Sequence, residues 1–101
     1  MAEKRKIILT KLASEQITHI YDALREQGFD DEAAALMDDF LDVVFGEIPV
    51  YPERFPPCEG IKPGSGDYRI GNLVGDYRVI FQIVHQHILI LLILHESELP
   101  F

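Results

Sequence analysis

Three apolar segments separated by turn residues occupy the last third of the chain, and this pattern restricts the fold more than any other feature. Apolar residues recur through residues 68–73 and 77–84, and an almost unbroken apolar run fills residues 88–95. Such segments, bounded by glycine and polar residues, predict three consecutive strands. Connections this short join antiparallel neighbours. The third segment is the most apolar, so we expect it to be a central strand covered on both faces.

The turns between these strands are less sharply marked. Val74-Gly75 suits the first turn, although Gly71-Asn72 can also break the first strand. His85-Gln86 is the second turn, without the residue pair that tight hairpins prefer. Side-chain alternation predicts two faces for the second strand, with Val79, Phe81 and Ile83 on one and Arg78, Ile80 and Gln82 on the other.

The first half of the chain predicts a short strand followed by two helices. Residues 6–10 are the strand, and Thr10 or Ser14 is a suitable helix cap. Apolar residues at helical spacing over 13–27 predict the first helix, ended by Gly28. The second helix begins near residue 30 and ends at Gly46 or Pro49.

This order of elements predicts an α+β fold with the sequence β-α-α-β-β-β. The helix hairpin packs on a mostly antiparallel four-stranded sheet, in which the first strand pairs with the last. Prolines and glycines make residues 48–66 irregular. A chain of 101 residues is the length of one domain, so we expect residues 1–101 to form a single domain.

Charge and cysteine content restrict the partners and the compartment. The chain carries 17 acidic and 9 basic side chains, for a net charge of −8, and the basic residues are scattered along it. Such a surface repels nucleic acid and anionic membranes, so direct nucleic-acid binding is not expected. One cysteine and no secretory signal predict a cytoplasmic protein. The apolar run 88–94 is too short for a membrane-spanning helix.

Two arginines are the best candidates for chemistry. Arg69 and Arg78 each follow a tyrosine in a predicted strand. If the strands pair across Val74-Gly75, both guanidinium groups project toward one face, where they suit recognition of phosphate or carboxylate groups. The alternative, which the residues alone favour, is that each pairs with one of the chain's many carboxylates, such as Asp67 or Asp76.

His95 is a further candidate, as a general acid or base. It precedes Glu96 and Ser97, a set with the composition of a nucleophile and its base. Neighbouring residues on a strand point to opposite faces, so we do not expect a triad.

No metal or cofactor is predicted. His85 and His87 lack the further ligands that zinc needs. The carboxylates of Asp38, Asp39 and Asp42 are expected on the wet side of the second helix. Cys58 is followed by Glu59, whose charge disfavours a reactive thiolate.

The strand segments resemble a known family. Residues 66–70 (Gly-Asp-Tyr-Arg-Ile), 74–81 (Val-Gly-Asp-Tyr-Arg-Val-Ile-Phe) and 90–95 (Ile-Leu-Leu-Ile-Leu-His) are similar to the C-terminal half of the RelE/ParE toxin superfamily. The N-terminal strand and helix hairpin fit the same fold. The resemblance implies the toxin of a bacterial type II toxin-antitoxin, or plasmid stabilisation, system. It also implies an antitoxin partner that lays a helix into a groove or adds a strand to a sheet edge.

The resemblance implies one of two activities. RelE-like members cleave messenger RNA on the ribosome, and ParE-like members inhibit DNA gyrase. Arg78 falls on the arginine of the RelE-like active site, Arg69 on a basic position of the preceding strand, and Lys62 near a basic stretch before it. RelE-like nucleases also carry basic residues and a tyrosine after the last strand.

Those terminal residues are missing here, where Glu96 and Glu98 follow His95. Negative charge at this point opposes RNA binding and phosphate chemistry. The sequence therefore favours a ParE-like protein that binds its antitoxin and DNA gyrase. Two alternatives stay open. One is a RelE-like ribonuclease with a reduced site of Arg78, Arg69 and His95. The other is a non-toxic interaction module whose apolar strand and helix hairpin serve a homodimer or another partner.

Overall fold

A four-stranded sheet with a helix hairpin on one face forms the fold. The computed structural model describes residues 4–58 and 66–99. Its helices and strands are β1 (Lys6–Leu9), α1 (Lys11–Glu26), α2 (Asp30–Leu41), β2 (Asp67–Leu73), β3 (Tyr77–Val84) and β4 (His87–His95). The strand order is β1-β4-β3-β2, with β1 parallel to β4 and the other pairs antiparallel. The predicted α+β fold, the pairing of the first strand with the last and the central position of the last strand are confirmed.

The start of α1 is attached to the central strand. The Thr10 hydroxyl accepts a hydrogen bond from the Ala13 N–H (3.2 Å) and donates one to the Ile90 carbonyl (2.6 Å). One side chain therefore caps the helix and connects it to β4. At the other end of α1, Gly28 has a φ of 85°, which glycine adopts without strain. Both predicted helix signals are confirmed.

The second helix is shorter than predicted. It ends at Leu41 and continues as a π-helical segment, Asp42–Glu47. Within and just after this segment Val44 and Ile48 are fully buried. Apolar residues at regular α-helical spacing do not predict a π-helical turn. Such a turn arises where core packing outweighs the ideal hydrogen-bond geometry of the α-helix.

The core lies between the helices and one face of the sheet. Its largest fully buried side chains are Phe81, Leu36, Ile48, Ile88, Ile90 and Ile93. β2 runs through Gly71 without a break, contrary to one of the two predictions for this strand. A Cβ at Gly71 would lie 3.0 Å from the Phe55 ring, which packs edge-on against Phe81 at 5.4 Å. Gly71 therefore makes room for an aromatic ring and does not end the strand.

A bulge interrupts the pairing of β3 with β4. Ile80 pairs with Leu92 but Phe81 pairs with Ile90, which leaves Leu91 as the extra residue. Side chains that face the core therefore change from even to odd positions along β4, from Ile90 to Ile93. On the opposite face Leu92 is only partly buried, although its partner on β3, Ile80, is buried. This face of the strand is therefore covered less completely than the core face.

Segment 48–58 is irregular as predicted and contains one short 3-10 turn, Pro52–Arg54. Its end follows the free edge of β2, where the Cys58 N–H donates to the Tyr68 carbonyl and the Ile70 N–H to the Pro56 carbonyl. These bonds cover the β2 edge. The remainder of the irregular stretch, including Lys62, lies outside the described residues.

Candidate functional site

The turn between β2 and β3 has three residues, 74–76, and not the two that were predicted. Leu73 pairs with Tyr77 across it. Gly75 and Asp76 both have positive φ, 78° and 62°. One additional turn residue shifts the register by one, and a shift of one moves side chains to the other face.

This register separates the two candidate arginines. Arg69 pairs with Phe81, a core residue, so Arg69 lies on the face that carries the helices. Arg78 pairs with Asn72, three residues from Arg69 on β2, and therefore lies on the opposite face. The expectation that both guanidinium groups project toward one face is wrong.

Arg69 holds the irregular segment against β2. Its Nη1 donates to the carbonyls of Glu53 (3.0 Å) and Phe55 (2.8 Å), and its Nε donates to Asp67 Oδ1 (2.9 Å). The side chain is 18% exposed. Asp67 is one of the two carboxylate partners expected for the arginines. With these contacts the guanidinium is engaged within the protein and is not presented to a ligand.

Arg78 is engaged by the C-terminal segment. Its Nη2 donates to Glu96 Oε2 (3.2 Å), and its Nη1 donates to the Tyr77 carbonyl (3.0 Å). Glu96 begins the 3-10 turn Glu96–Glu98 that follows β4. A carboxylate here offsets the charge that Arg78 would otherwise offer to a phosphate.

His95 lies on the helix face, opposite the face of Arg78. It pairs with Tyr77 in register, and the two rings pack edge to face at 5.2 Å. Its Nδ1 contacts Ser97 Oγ (2.8 Å) and accepts from the Ser97 N–H (3.2 Å). The strand alternation expected for His95, Glu96 and Ser97 does not extend to Ser97, because Glu96–Glu98 is a 3-10 turn, which brings Ser97 to His95.

That contact is a helix cap. Glu98 completes it by accepting from the backbone N–H of His95 (3.0 Å), so the carboxylate does not orient the imidazole. A serine nucleophile needs a base whose ring is held by a third group, and this turn supplies none within the described residues. Arg69, Arg78 and His95 therefore occupy three separate surroundings and are not brought together.

The remaining candidates stay apart from one another as well. His85 and His87 are exposed at the β3–β4 turn, and the described ranges 4–58 and 66–99 contain no metal-binding group of three side chains. Asp38 and Asp42 are exposed as expected. Asp39 instead accepts a hydrogen bond from the Val74 N–H (2.9 Å) and so fixes α2 to the β2–β3 turn.

Cys58 is buried, and burial raises the pKa of its thiol. The prediction of a protonated, unreactive thiol rested on Glu59, which is outside the described residues. Desolvation supplies the physical cause instead.

Two basic residues that are distant in sequence meet at Glu53. Arg5 Nη1 lies 2.7 Å from Glu53 Oε1, and Arg69 donates to the Glu53 carbonyl. A hydrogen bond from its own backbone N–H and the contact with Arg5 lower the pKa of the Glu53 carboxyl. Arg5 and Arg69, which are far apart in the sequence, therefore lie close together in the structure. Both are engaged by oxygen atoms of the protein.

A groove at the end of the helix hairpin was missed by the sequence reasoning. It is lined by Leu24, Phe29, Leu36, Val74, Tyr77 and His95, with Glu32 beside them, and has a volume of about 350 Å³. We call it the hairpin groove. Phe29 and Val74 are 46% and 47% exposed. Asp39 fixes one wall by its bond to Val74, and the Glu96 N–H fixes another by donating to the Asp76 carbonyl (2.8 Å).

One sequence signal for this groove existed. Phe29 precedes α2 at the N-cap position, with no side-chain hydrogen bond to the helix. Serine, aspartate or asparagine is normally preferred there. The Phe29 N–H instead closes the end of α1 by donating to the Leu24 carbonyl (2.8 Å), and the ring stays 46% exposed.

None of the helices in the described ranges has the length and apolar character needed to cross a membrane.

Fold and sequence together place the chain in a family. Residues 7–100 match the family described as the ParE toxin of the type II toxin-antitoxin system, parDE. The chain belongs to this ParE toxin family. No curated protein sequence matches it significantly.

Solved structures show the same fold. The chain is similar to a chain of the chromosomal ParDE toxin-antitoxin system from P. aeruginosa, with a TM-score of 0.72, 18% identity, and coverage of 91% of this chain and 96% of that chain. It is also similar to a chain of the RelBE2 toxin-antitoxin complex from Mycobacterium tuberculosis, with a TM-score of 0.61, 18% identity, and coverage of 92% and 99%. A conserved hypothetical protein from Helicobacter pylori gives a TM-score of 0.57, 20% identity, and coverage of 93% and 97%.

Proposed function

We propose that this chain is the toxin component of a type II toxin-antitoxin system and acts by binding proteins, namely a cognate antitoxin and DNA gyrase. Membership of the ParE toxin family and the fold shared with a ParDE chain support the toxin assignment. The proposal includes a single domain over residues 1–101 and action in the cytoplasm, where gyrase is found.

The observation that carries the choice of binding over catalysis is the contact between Arg78 and Glu96. RNA cleavage requires free cations near the scissile phosphate. The one transferable active-site arginine donates to a carboxylate (3.2 Å), and Arg69 and His95 lie on the other face of the sheet. A net charge of −8 further opposes docking on ribosomal RNA.

A supercoiling assay tests the gyrase part. Purified chain is added to gyrase, relaxed plasmid and ATP, and we expect supercoiling to be inhibited in proportion to the chain added. Arg78→Ala is expected to inhibit equally. Supercoiling that is unaffected by the chain would contradict gyrase as the target.

The RelE-like alternative has its own test. It requires ribosome-bound messenger RNA to be cleaved by the wild-type chain and not by Arg78→Ala. We expect no cleavage by either protein. The non-toxic module would instead leave growth unaffected on expression while still binding its partner.

A further inference from the structure

We propose that the hairpin groove receives a cationic, amphipathic helix of the antitoxin, with its apolar side chains in the groove and its lysines or arginines against the surrounding carboxylates. This inference rests on the proposed function, because the antitoxin is taken as the partner. It adds the place of contact and the charge of the partner segment.

The apolar part of the groove supplies the anchor site. Phe29 lies just before α2 and Val74 lies in the β2–β3 turn. Both side chains line the groove, and both are nearly half exposed. Exposed aromatic and aliphatic side chains in a concave, largely apolar surface are typical of helix-in-groove recognition.

Phe29 takes part in folding through its backbone, while nearly half of its ring stays exposed: its N–H donates to the Leu24 carbonyl (2.8 Å) and closes the C-terminal turn of α1. A polar residue at this N-cap would satisfy a backbone N–H of α2, which Phe29 leaves without a side-chain partner. An apolar residue after Gly28 suits the end of α1, and Leu24 and Phe29 both line the groove. The part of the Phe29 ring that remains exposed is the surface that a partner would cover.

Charge around the groove indicates the chemistry of the partner. Glu32 lines it, and Asp76 lies between two lining residues, Gly75 and Tyr77. No lysine or arginine lines the groove in the part of the chain that the structure describes. The nearest cation along α1, Arg25, lies 3.9 Å from Asp30 and over the Tyr21 ring.

The whole helix hairpin is negatively charged. From Lys11 to Leu41 it carries eight carboxylates and two cations, and Lys11 lies at the far end of α1 from the groove. A segment with positive charge beside its apolar face is attracted to this surface, and an acidic segment is repelled. A second copy of this chain would bring two acidic hairpins together, which disfavours a homodimer at this face.

Synthetic peptides test the charge directly. One peptide of about 16 residues, roughly four helical turns, carries leucines at helical spacing and lysines at the other positions. A matched peptide has glutamate in place of each lysine. Fluorescence anisotropy at about 0.15 M salt, where exposed charges are screened beyond ~8 Å, measures binding of both to the full chain.

We expect the lysine peptide to bind and the glutamate peptide not to bind. Phe29→Ser and Glu32→Lys should each weaken binding of the lysine peptide at least tenfold. Phe29→Ser should remain folded, because the serine hydroxyl caps α2 and the backbone N–H can still donate to the Leu24 carbonyl. Leu12→Ser and Glu15→Lys repeat the same two changes on exposed positions of α1 outside the groove, and should leave the affinity unchanged.

Equal binding of the two peptides would overturn the inference. So would equal weakening by the groove variants and the control variants, since binding would then reflect overall charge. These outcomes do not depend on toxicity. A chain that arrests growth but fails the peptide test loses only this inference, and one that passes the peptide test without arresting growth loses the proposed function.

Discussion

Arg69 and Arg78 lie on opposite faces of the sheet, although each follows a tyrosine in one of two adjacent strands. Arg69 pairs with Phe81 on the helix face, and Arg78 pairs with Asn72 on the other. Each guanidinium is engaged by the protein's own oxygens, Arg69 by Asp67 and two carbonyls, Arg78 by Glu96. Because these two guanidinium groups form no shared cationic surface, their placement supports the proposal that the chain acts by binding proteins.

Arg69→Ala is expected to destabilise the fold. It removes the hydrogen bonds from a cation to the carbonyls of Glu53 and Phe55. One hydrogen bond from a charged group contributes about 1.5–3 kcal/mol, and bonds made by the same group do not add fully. We therefore expect a loss of about 2–3 kcal/mol in the free energy of unfolding, measured in urea. Arg54→Ala is the matched control, since that exposed arginine only stacks on Tyr51 and its loss should cost about 0.5–1 kcal/mol. Equal losses in the two variants would contradict the role assigned to Arg69.

Gln16→Ala should expose a weak point in β4. The Gln16 Oε1 accepts from the Ile93 N–H (2.7 Å) just beyond the bulge at Leu91. Leaving this partly buried amide without a partner should cost about 1–3 kcal/mol and speed its hydrogen exchange. Gln16→Glu keeps an acceptor oxygen at the same place and should protect the Ile93 amide far better. Unchanged exchange at Ile93 in Gln16→Ala would show that the contact is not needed.

Gly71→Ala is expected to displace the Phe55 ring. The added Cβ would lie 3.0 Å from that ring and 3.2 Å from Val79, so packing must adjust. Overpacking of this kind costs about 1–3 kcal/mol. Gly46→Ala provides the comparison, because nothing lies within 4 Å of its added Cβ and its stability should be unchanged or higher. Thermal unfolding of both variants checks the difference, and a harmless Gly71→Ala would contradict the packing described for Phe55.

Cys58 should make stability fall at alkaline pH. Burial raises the pKa of the thiol in the folded chain, so the folded chain keeps a proton that the unfolded chain loses. The free energy of unfolding should therefore be unaffected below about pH 8.5, the ordinary pKa of cysteine, and fall above it by at most ~1.4 kcal/mol per pH unit. Urea unfolding of wild type and Cys58→Ala between about pH 8 and 9.5 checks this. The variant should lose the slope, and identical slopes would contradict it.

Local patterns were enough to predict the elements but not their exact registration. The helix after Thr10 and the strands β3 and β4 could be predicted because their signals lie in residues that are close together in the sequence. The predicted bounds of β3 agree with Tyr77–Val84. A two-residue turn would have placed Arg69 and Arg78 on one face. With Asp76 as a third turn residue, the two arginines lie on opposite faces. An aspartate at this place is only a weak sign of positive φ, so the longer turn was not predicted.

Features that arise from packing between distant segments could not be predicted from the sequence. The bulge at Leu91 and the π-helical segment Asp42–Glu47 accommodate core side chains contributed by other elements. The hairpin groove joins residues from both helices, the β2–β3 turn and the end of β4, so no single stretch of sequence contains it. Phe29 at a helix start was its one local sign.

Growth arrest by inducible expression of the wild-type chain and of Arg78→Ala tests the central claim most directly. If the chain acts by binding proteins, both should arrest growth to the same extent, provided that Arg78→Ala is folded by circular dichroism. Loss of growth arrest in a folded Arg78→Ala variant would contradict the account, because the arginine would then act in chemistry on a substrate. Normal growth on expression of the wild-type chain would contradict its function as a toxin.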